Sequence, residues 1–141
     1  MAGALAKRIA SERGLDDVEI TSAGTSAWEG APASDGSLLV GLERGLDLGD
    51  HRAHQLTRAM VQDADVILAM GPHHLERIDA FGGGRKAHLL TSFASHGKFE
   101  RGISDPIGGE LDVYRSTIDE LDREIRRAFD RIVAERTPDR S

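Results

Sequence analysis

Ala64-Asp65-Val66-Ile67-Leu68-Ala69-Met70-Gly71-Pro72, continuing through His73 to Phe81 and into Gly82-Gly83-Gly84, decides the fold class of this chain. Val66-Ile67-Leu68 is a short apolar run of the kind expected for a strand buried on both faces. Pro72 suits the first position of a helix, where its missing N–H costs nothing, and the glycine triplet supplies a stop. On the upstream side Thr57 is placed to cap a short helix through Asp63. On the downstream side Ala87 to Leu90 reads as a weak last strand, and Thr91 to Ser104 shows no periodicity and reads as loop.

The flanking segments extend the alternation. Ala2 to Arg13 carries Leu5, Ile9 and small alanines at helical spacing, with Gly14 as a stop. Val18-Glu19-Ile20-Thr21 alternates apolar and polar like a strand, and Ser22 to Ser34 is a loop rich in Gly, Ala, Ser and Pro that holds Trp28. Ser34 can cap a helix through about Arg44, with Leu38, Leu39 and Leu42 inward and Gly45 ending it. From Glu110 to about Arg136, Leu111, Tyr114, Ile118, Leu121, Ile125, Ala128 and Ile132 recur every three or four residues, one stripe along a long helix. Alternating helices and strands predict parallel strands joined by right-handed crossovers, an α/β sandwich of three layers in one domain spanning residues 1–141.

Composition narrows the function. A chain of 141 residues, 39% hydrophobic and 30% charged, has an ordinary soluble composition. Lys plus Arg 18 against Asp plus Glu 24 gives a net charge of −6, which argues against a nucleic-acid partner. No apolar run approaches the ~20 residues of a membrane span, and the N-terminus lacks a signal-like apolar core, so a cytoplasmic protein is expected. With zero cysteine, the chain as written has no disulfides, thiolate metal sites or thiol catalysis.

Asp105-Pro106-Ile107-Gly108-Gly109 places one lone carboxylate on a rigid loop just ahead of the long helix. Proline fixes its own φ and pushes Asp105 away from helical geometry, and the two glycines let the backbone turn tightly. Such a position suits a general acid, and it equally suits an Asp-Pro turn before a helix. The wider pattern favours the acid. Ser22-Ala23-Gly24-Thr25, Leu46-Asp47-Leu48 with His51-Arg52-Ala53, Ala64 to Met70, and Asp105 to Gly109 with Val113-Tyr114 occur in the order and spacing of the low-molecular-weight protein tyrosine phosphatases, and the chain resembles that family from Met1 to about Val133.

The resemblance implies a four-stranded parallel sheet whose first, central strand runs into a phosphate loop and then the first helix. Met1-Ala2-Gly3-Ala4-Leu5 matches the segment just after that loop, where relatives continue from Cys, five residues and Arg-Ser-Pro. The strand and the loop are therefore expected to be missing here, with Met1 an internal methionine and the recorded start too late. In the family a thiolate attacks phosphorus, loop amides and an arginine hold the phosphoryl oxygens, and an Asp protonates the leaving group. By that correspondence Asp105 is the catalytic acid. Trp28 matches an aromatic residue beside the substrate pocket, or is a tryptophan half-buried on a flexible loop. Ser22 and His51 match residues that brace the phosphate loop by hydrogen bonding, or are a strand-end serine and a surface histidine.

The resemblance also implies a phosphorylated protein substrate and no cofactor. Relatives dedicated to phosphotyrosine usually carry aromatic residues after Asp-Pro, whereas Ile107-Gly108-Gly109 looks more like the bacterial branch that includes protein arginine phosphatases and exopolysaccharide-linked tyrosine phosphatases. Substrate stays open between phosphoarginine and phosphotyrosine. Lacking the nucleophile and the loop arginine, the chain as written is expected to be inactive on phosphoesters; a pseudophosphatase that binds a partner without chemistry is the alternative. Among six histidines, His51 with His54 and His73 with His74 are the candidates for a metal. Adjacent histidines on a helix diverge and the other pair lacks a carboxylate at helical spacing, so no metal site is expected.

Overall fold

The computed structural model describes residues 2–15, 17–24, 30–49, 51–98, 100–103, 106 and 109–136. Eight elements follow in order: α1 (Ala2–Glu12), α2 (Asp35–Glu43), α3 (Arg58–Asp63), β1 (Ile67–Ala69), α4 (Pro72–Ala80), β2 (Ala87–Leu89), α5 (Leu90–Ala94) and α6 (Leu111–Arg136). β1 and β2 pair in parallel, with Ile67, Leu68 and Ala69 opposite Ala87, His88 and Leu89. The α4 crossover between them begins with Gly71 as cap and Pro72 in the first turn. It ends at Phe81 and Gly82, whose φ of 88° is a conformation glycine tolerates without steric cost.

The period of two along β1 sorts its side chains between two cores. Ile67 and Ala69 join Val61 of α3 and Ile78 of α4 on one face. Leu68 and Met70 pack on the other face against a larger cluster that includes Leu5 and Ile9 of α1, Phe93 of α5, and Tyr114, Ile118, Leu121 and Ile125 of α6. Helices on both faces of a parallel sheet make the three layers expected from the sequence, an α/β fold. Among the described residues no helix is long and apolar enough to cross a membrane.

Several expectations need correction. Val18 to Thr21 keeps its alternation, with Val18 and Ile20 half-buried against the larger core and Glu19 and Thr21 exposed, yet it forms no strand. A strand requires a hydrogen-bonded ladder, and the described sheet contains only β1 and β2. For the same reason β1 is not buried on both faces throughout: Ile67 and Leu68 are half-buried, and Val66 is exposed and outside the strand. Residues 91–104, read as loop, include most of α5, whose Leu90, Thr91, Phe93 and Ala94 are buried. Five residues are too few to display a helical period.

α2 is turned differently from its pattern. Ser34 caps it, accepting a hydrogen bond from the Ser37 N–H (3.3 Å), but Leu39 and Leu42 are 52% and 64% exposed while Val40 is fully buried. Gly36 lies directly on the Tyr114 ring, and Gly41 abuts Leu48 and the Leu46 carbonyl. The absent side chains allow this close approach, so the glycine face goes inward and the two leucines go out. Paired Arg–carboxylate contacts fix the seam between α2 and α6. Arg115 donates to both oxygens of Glu43 (2.9 and 2.8 Å), and Arg44 donates to both oxygens of Asp119 (3.1 and 3.2 Å). These pairs are exposed and set register more than they add stability.

Candidate functional site

Two loops named by the sequence are anchored by described residues on either side. Asp105 itself lies outside the described residues, but the backbone leading to it is tied down. The Ile103 N–H donates to the Met70 carbonyl just past β1 (2.7 Å), and the Thr91 hydroxyl donates to the Arg101 carbonyl. The Arg101 guanidinium reaches Glu120 of α6 (2.6 Å) and stands 3.8 Å from the buried Glu124. Beyond Asp105, the Gly109 N–H closes a turn on the Pro106 carbonyl (2.8 Å), and the chain enters α6. The described residues on either side, Arg101 and Ile103 before it and Pro106 and Gly109 after it, are thus bonded to their surroundings.

Trp28 also lies outside the described residues, and its loop leaves and returns at one place. The Gly24 N–H donates to the His54 carbonyl (2.9 Å) and the Leu56 N–H to the Gly24 carbonyl (2.9 Å). On the return, the Gly30 N–H donates to the Ala53 carbonyl (2.8 Å) and the Ala53 N–H to the Ala31 carbonyl (2.7 Å). Both ends are thus stitched to the segment from His51 to Leu56.

That segment lines a cavity of about 520 Å³ together with Lys7 of α1, Ser22 and Thr21 at the end of the alternating run, and Met60 of α3. Ser22 and His51, far apart in sequence, meet at this one cavity. α1 approaches closely as well, since a side chain on Gly3 would come within 2.8 Å of the Ser22 hydroxyl. Lys7 and Gln55 are lining residues that sequence reasoning did not select, while Arg52 entered only within the His51-Arg52-Ala53 motif and His54 only as a metal candidate paired with His51. Lys7 and Arg52 follow no shared period, and only the proximity of His54 to His51 was visible.

His51 is half-buried, and its pKa is lowered from the ordinary histidine value, first by burial and then by positive neighbours that include His54, Lys7 and Arg52. A histidine that binds its proton less readily when folded weakens the native state as pH falls. The loss begins near the unfolded value of about 6.5 and levels off below the native pKa. A ring-proton NMR titration is expected to place the His51 midpoint lower in the native protein than in urea. An equal or higher native midpoint would contradict the burial and charge described.

The family model for low molecular weight phosphotyrosine protein phosphatase matches residues 1–137. The protein-arginine-phosphatase of Geobacillus stearothermophilus is 33% identical over 133 residues, 93% of this chain and 88% of that protein. A probable low molecular weight protein-tyrosine-phosphatase, EpsP of Ralstonia solanacearum, is 41% identical over 66 residues, 47% of this chain and 46% of that protein. The solved YwlE arginine phosphatase from Geobacillus stearothermophilus superposes with a TM-score of 0.86 at 32% identity, covering 99% of this chain and 88% of the other. With a match that runs through nearly every element described above, this chain belongs to the low molecular weight phosphotyrosine protein phosphatase family, a family of hydrolases.

Proposed function

We propose that the protein is a phosphatase of phosphorylated proteins in the cytoplasm, with phosphoarginine as its first substrate class. The observation that carries this is the similarity to a protein-arginine-phosphatase across 93% of the chain at 33% identity. Phosphotyrosine is the second reading, favoured by the 41% identity to EpsP over a shorter stretch. Ile107-Gly108-Gly109 after Asp105-Pro106, without an aromatic residue, supports the first.

In the proposed reaction a cysteine thiolate attacks phosphorus and the bond to the leaving nitrogen or oxygen breaks. The Asp105 carboxyl passes its proton to that leaving atom, so no bare anion is expelled. Water then cleaves the cysteinyl-phosphate, releasing phosphate and restoring the thiolate. Ser22 and His51 brace the phosphate loop by hydrogen bonding, and Trp28 offers a ring face to the group attached to the phosphate. The 141 residues contain no cysteine, so on this reading they are expected to be inactive by themselves on phosphorylated substrates.

The test joins a strand and Cys-to-Arg loop from a relative ahead of Met1 and compares kcat/KM on matched phosphoarginine and phosphotyrosine peptides. The reading expects the phosphoarginine peptide to be hydrolysed faster. A reversed order would transfer the proposal to phosphotyrosine.

A further inference from the structure

Arginines in and beside α1, α2 and α6 stand in ion pairs, among them Arg13 with Asp130, Arg44 with Asp119 and Arg115 with Glu43. The α3–α4 side of the molecule is different. Arg58, at the start of α3, and Arg77, in the last turn of α4, both stand over the ring of Phe81, with Cζ 5.0 and 5.4 Å from its centroid. Among the described residues neither forms an ion pair, although the two helices carry Asp63, Glu76 and Asp79. Phe81 is half-buried and fixed by packing against the cluster of Val61, Ala69 and Ile78, while both arginines are exposed. A ring face attracts a guanidinium through its quadrupole and, unlike an ion pair, leaves the N–H donors to water or to a ligand. Arg58 gains nothing from its helix, because a cation in the first turn opposes the dipole. Two like charges drawn to one ring also repel each other, and a bound carboxylate offsets that repulsion.

We propose that Arg58, Arg77 and Phe81 form a docking surface for an acidic peptide segment, and that this segment is the flank of a phosphorylated protein substrate; the second part rests on the phosphatase reading above. Charge complementarity selects the occupant. A chain of net charge −6 repels an acidic partner on average, so capturing one requires a local group of cations without carboxylates against them, which this pair supplies. Each guanidinium presents a fork of donors that matches one carboxylate, and two forks on one ring match two acidic side chains of a single extended segment. Position ties the surface to the candidate site. Arg58 directly follows Thr57, which lines the cavity together with Met60 of the same helix. α3 therefore presents some residues to the cavity and another to Phe81, and a substrate whose modified side chain enters the cavity reaches the arginines with its neighbouring residues.

The probe is hexaglutamate, with hexaglutamine as the neutral control, titrated into the 141-residue protein and followed by NMR through the Phe81 ring protons and the arginine Nε–H signals. The peptide carries no phosphate and undergoes no turnover, so the result is separate from whether the protein is a phosphatase. Saturable shifts at Arg58, Arg77 and Phe81 are expected with hexaglutamate and none with hexaglutamine, and binding should weaken several-fold as ionic strength rises to about 0.15 M. Arg58→Gln and Arg77→Gln should each weaken binding by roughly fivefold and Arg77→Glu by more, while Phe81→Leu, which keeps an apolar side chain but removes the ring, should weaken it by roughly threefold. Arg123→Gln removes the same charge from an ion pair with Glu124 on α6 and should leave binding unchanged. Unchanged urea midpoints in the arginine variants, whose side chains are exposed, check folding. In the joined protein, a phosphopeptide with glutamates beside the phosphorylated residue should show a lower KM than one with glutamines there, and Arg77→Gln should remove the difference. Shifts that hexaglutamine reproduces, or binding weakened as much by Arg123→Gln as by Arg77→Gln, would overturn the docking surface. Arginine and Phe81 signals that move with protein concentration alone would give the surface to a second copy of the chain and overturn the acidic segment. Equal KM values for the two phosphopeptides, both turned over, would overturn the assignment of that segment to the substrate.

Discussion

Asp105→Asn, introduced into the protein joined to a Cys-to-Arg loop, is expected to lower kcat on a phosphoramidate or alkyl phosphate by about 10²–10⁴-fold, the range typical of general acid catalysis. Asparagine keeps the size of the side chain and the turn at Pro106 while removing the proton that the leaving atom needs. Amides that stabilise the phosphoryl oxygens are untouched, so the change should fall on formation of the phosphoenzyme rather than on its binding of anions. An activated aryl phosphate expels a stable phenolate and should lose much less. Equal losses on both substrates, or undiminished activity with asparagine, would reduce Asp105 to a turn residue. Presteady-state kinetics that separate phosphoenzyme formation from its hydrolysis supply the measurement.

Ile118→Ala should cost about 2–5 kcal/mol of stability, as large-to-small changes in closed cores do, against a total of ~5–15 kcal/mol for a domain. Ile118 is 1% exposed and belongs to the cluster in which α6 meets α1 and α5. Removing its outer carbons leaves a void that Leu5, Ile9 and Phe93 cannot all close together. Urea unfolding should show a lower midpoint with an unchanged slope. Val133→Ala near the exposed end of α6 is the control and should change little, since Val133 is already 36% exposed. Comparable losses at both positions would contradict the core described.

What the sequence displayed well was local. The Thr57 cap accepts from the Met60 N–H at 3.2 Å, and Pro72 opens α4, because these signals act within a few residues. The α6 stripe was legible for the same reason, since a repeat sustained over 26 residues outweighs local noise. The errors came from distant partners. Nothing near Gly36 announces that Tyr114 will lie against it, so the leucines of α2 were turned inward. The alternation of Val18 to Thr21 gave the right burial, but whether such a run becomes a strand depends on a neighbour elsewhere in the chain. At the site, short motifs drew attention to Ser22 and His51, which the fold gathers at one cavity, whereas Lys7 and Arg52 acquire meaning only in three dimensions. Asp105 and Trp28 lie outside the described residues and stay readings of sequence.

The most direct measurement of the account is phosphate release, recorded side by side for the 141-residue protein and for the same protein joined to a strand and Cys-to-Arg loop, on phosphoarginine and phosphotyrosine peptides. The account predicts no release above background from the first and sustained release from the second, lost when the loop cysteine becomes serine. Release by the 141-residue protein alone, abolished by Asp105→Asn, would reveal a different nucleophile and contradict the proposed chemistry. A folded joined protein that releases phosphate from neither peptide would contradict the proposed function.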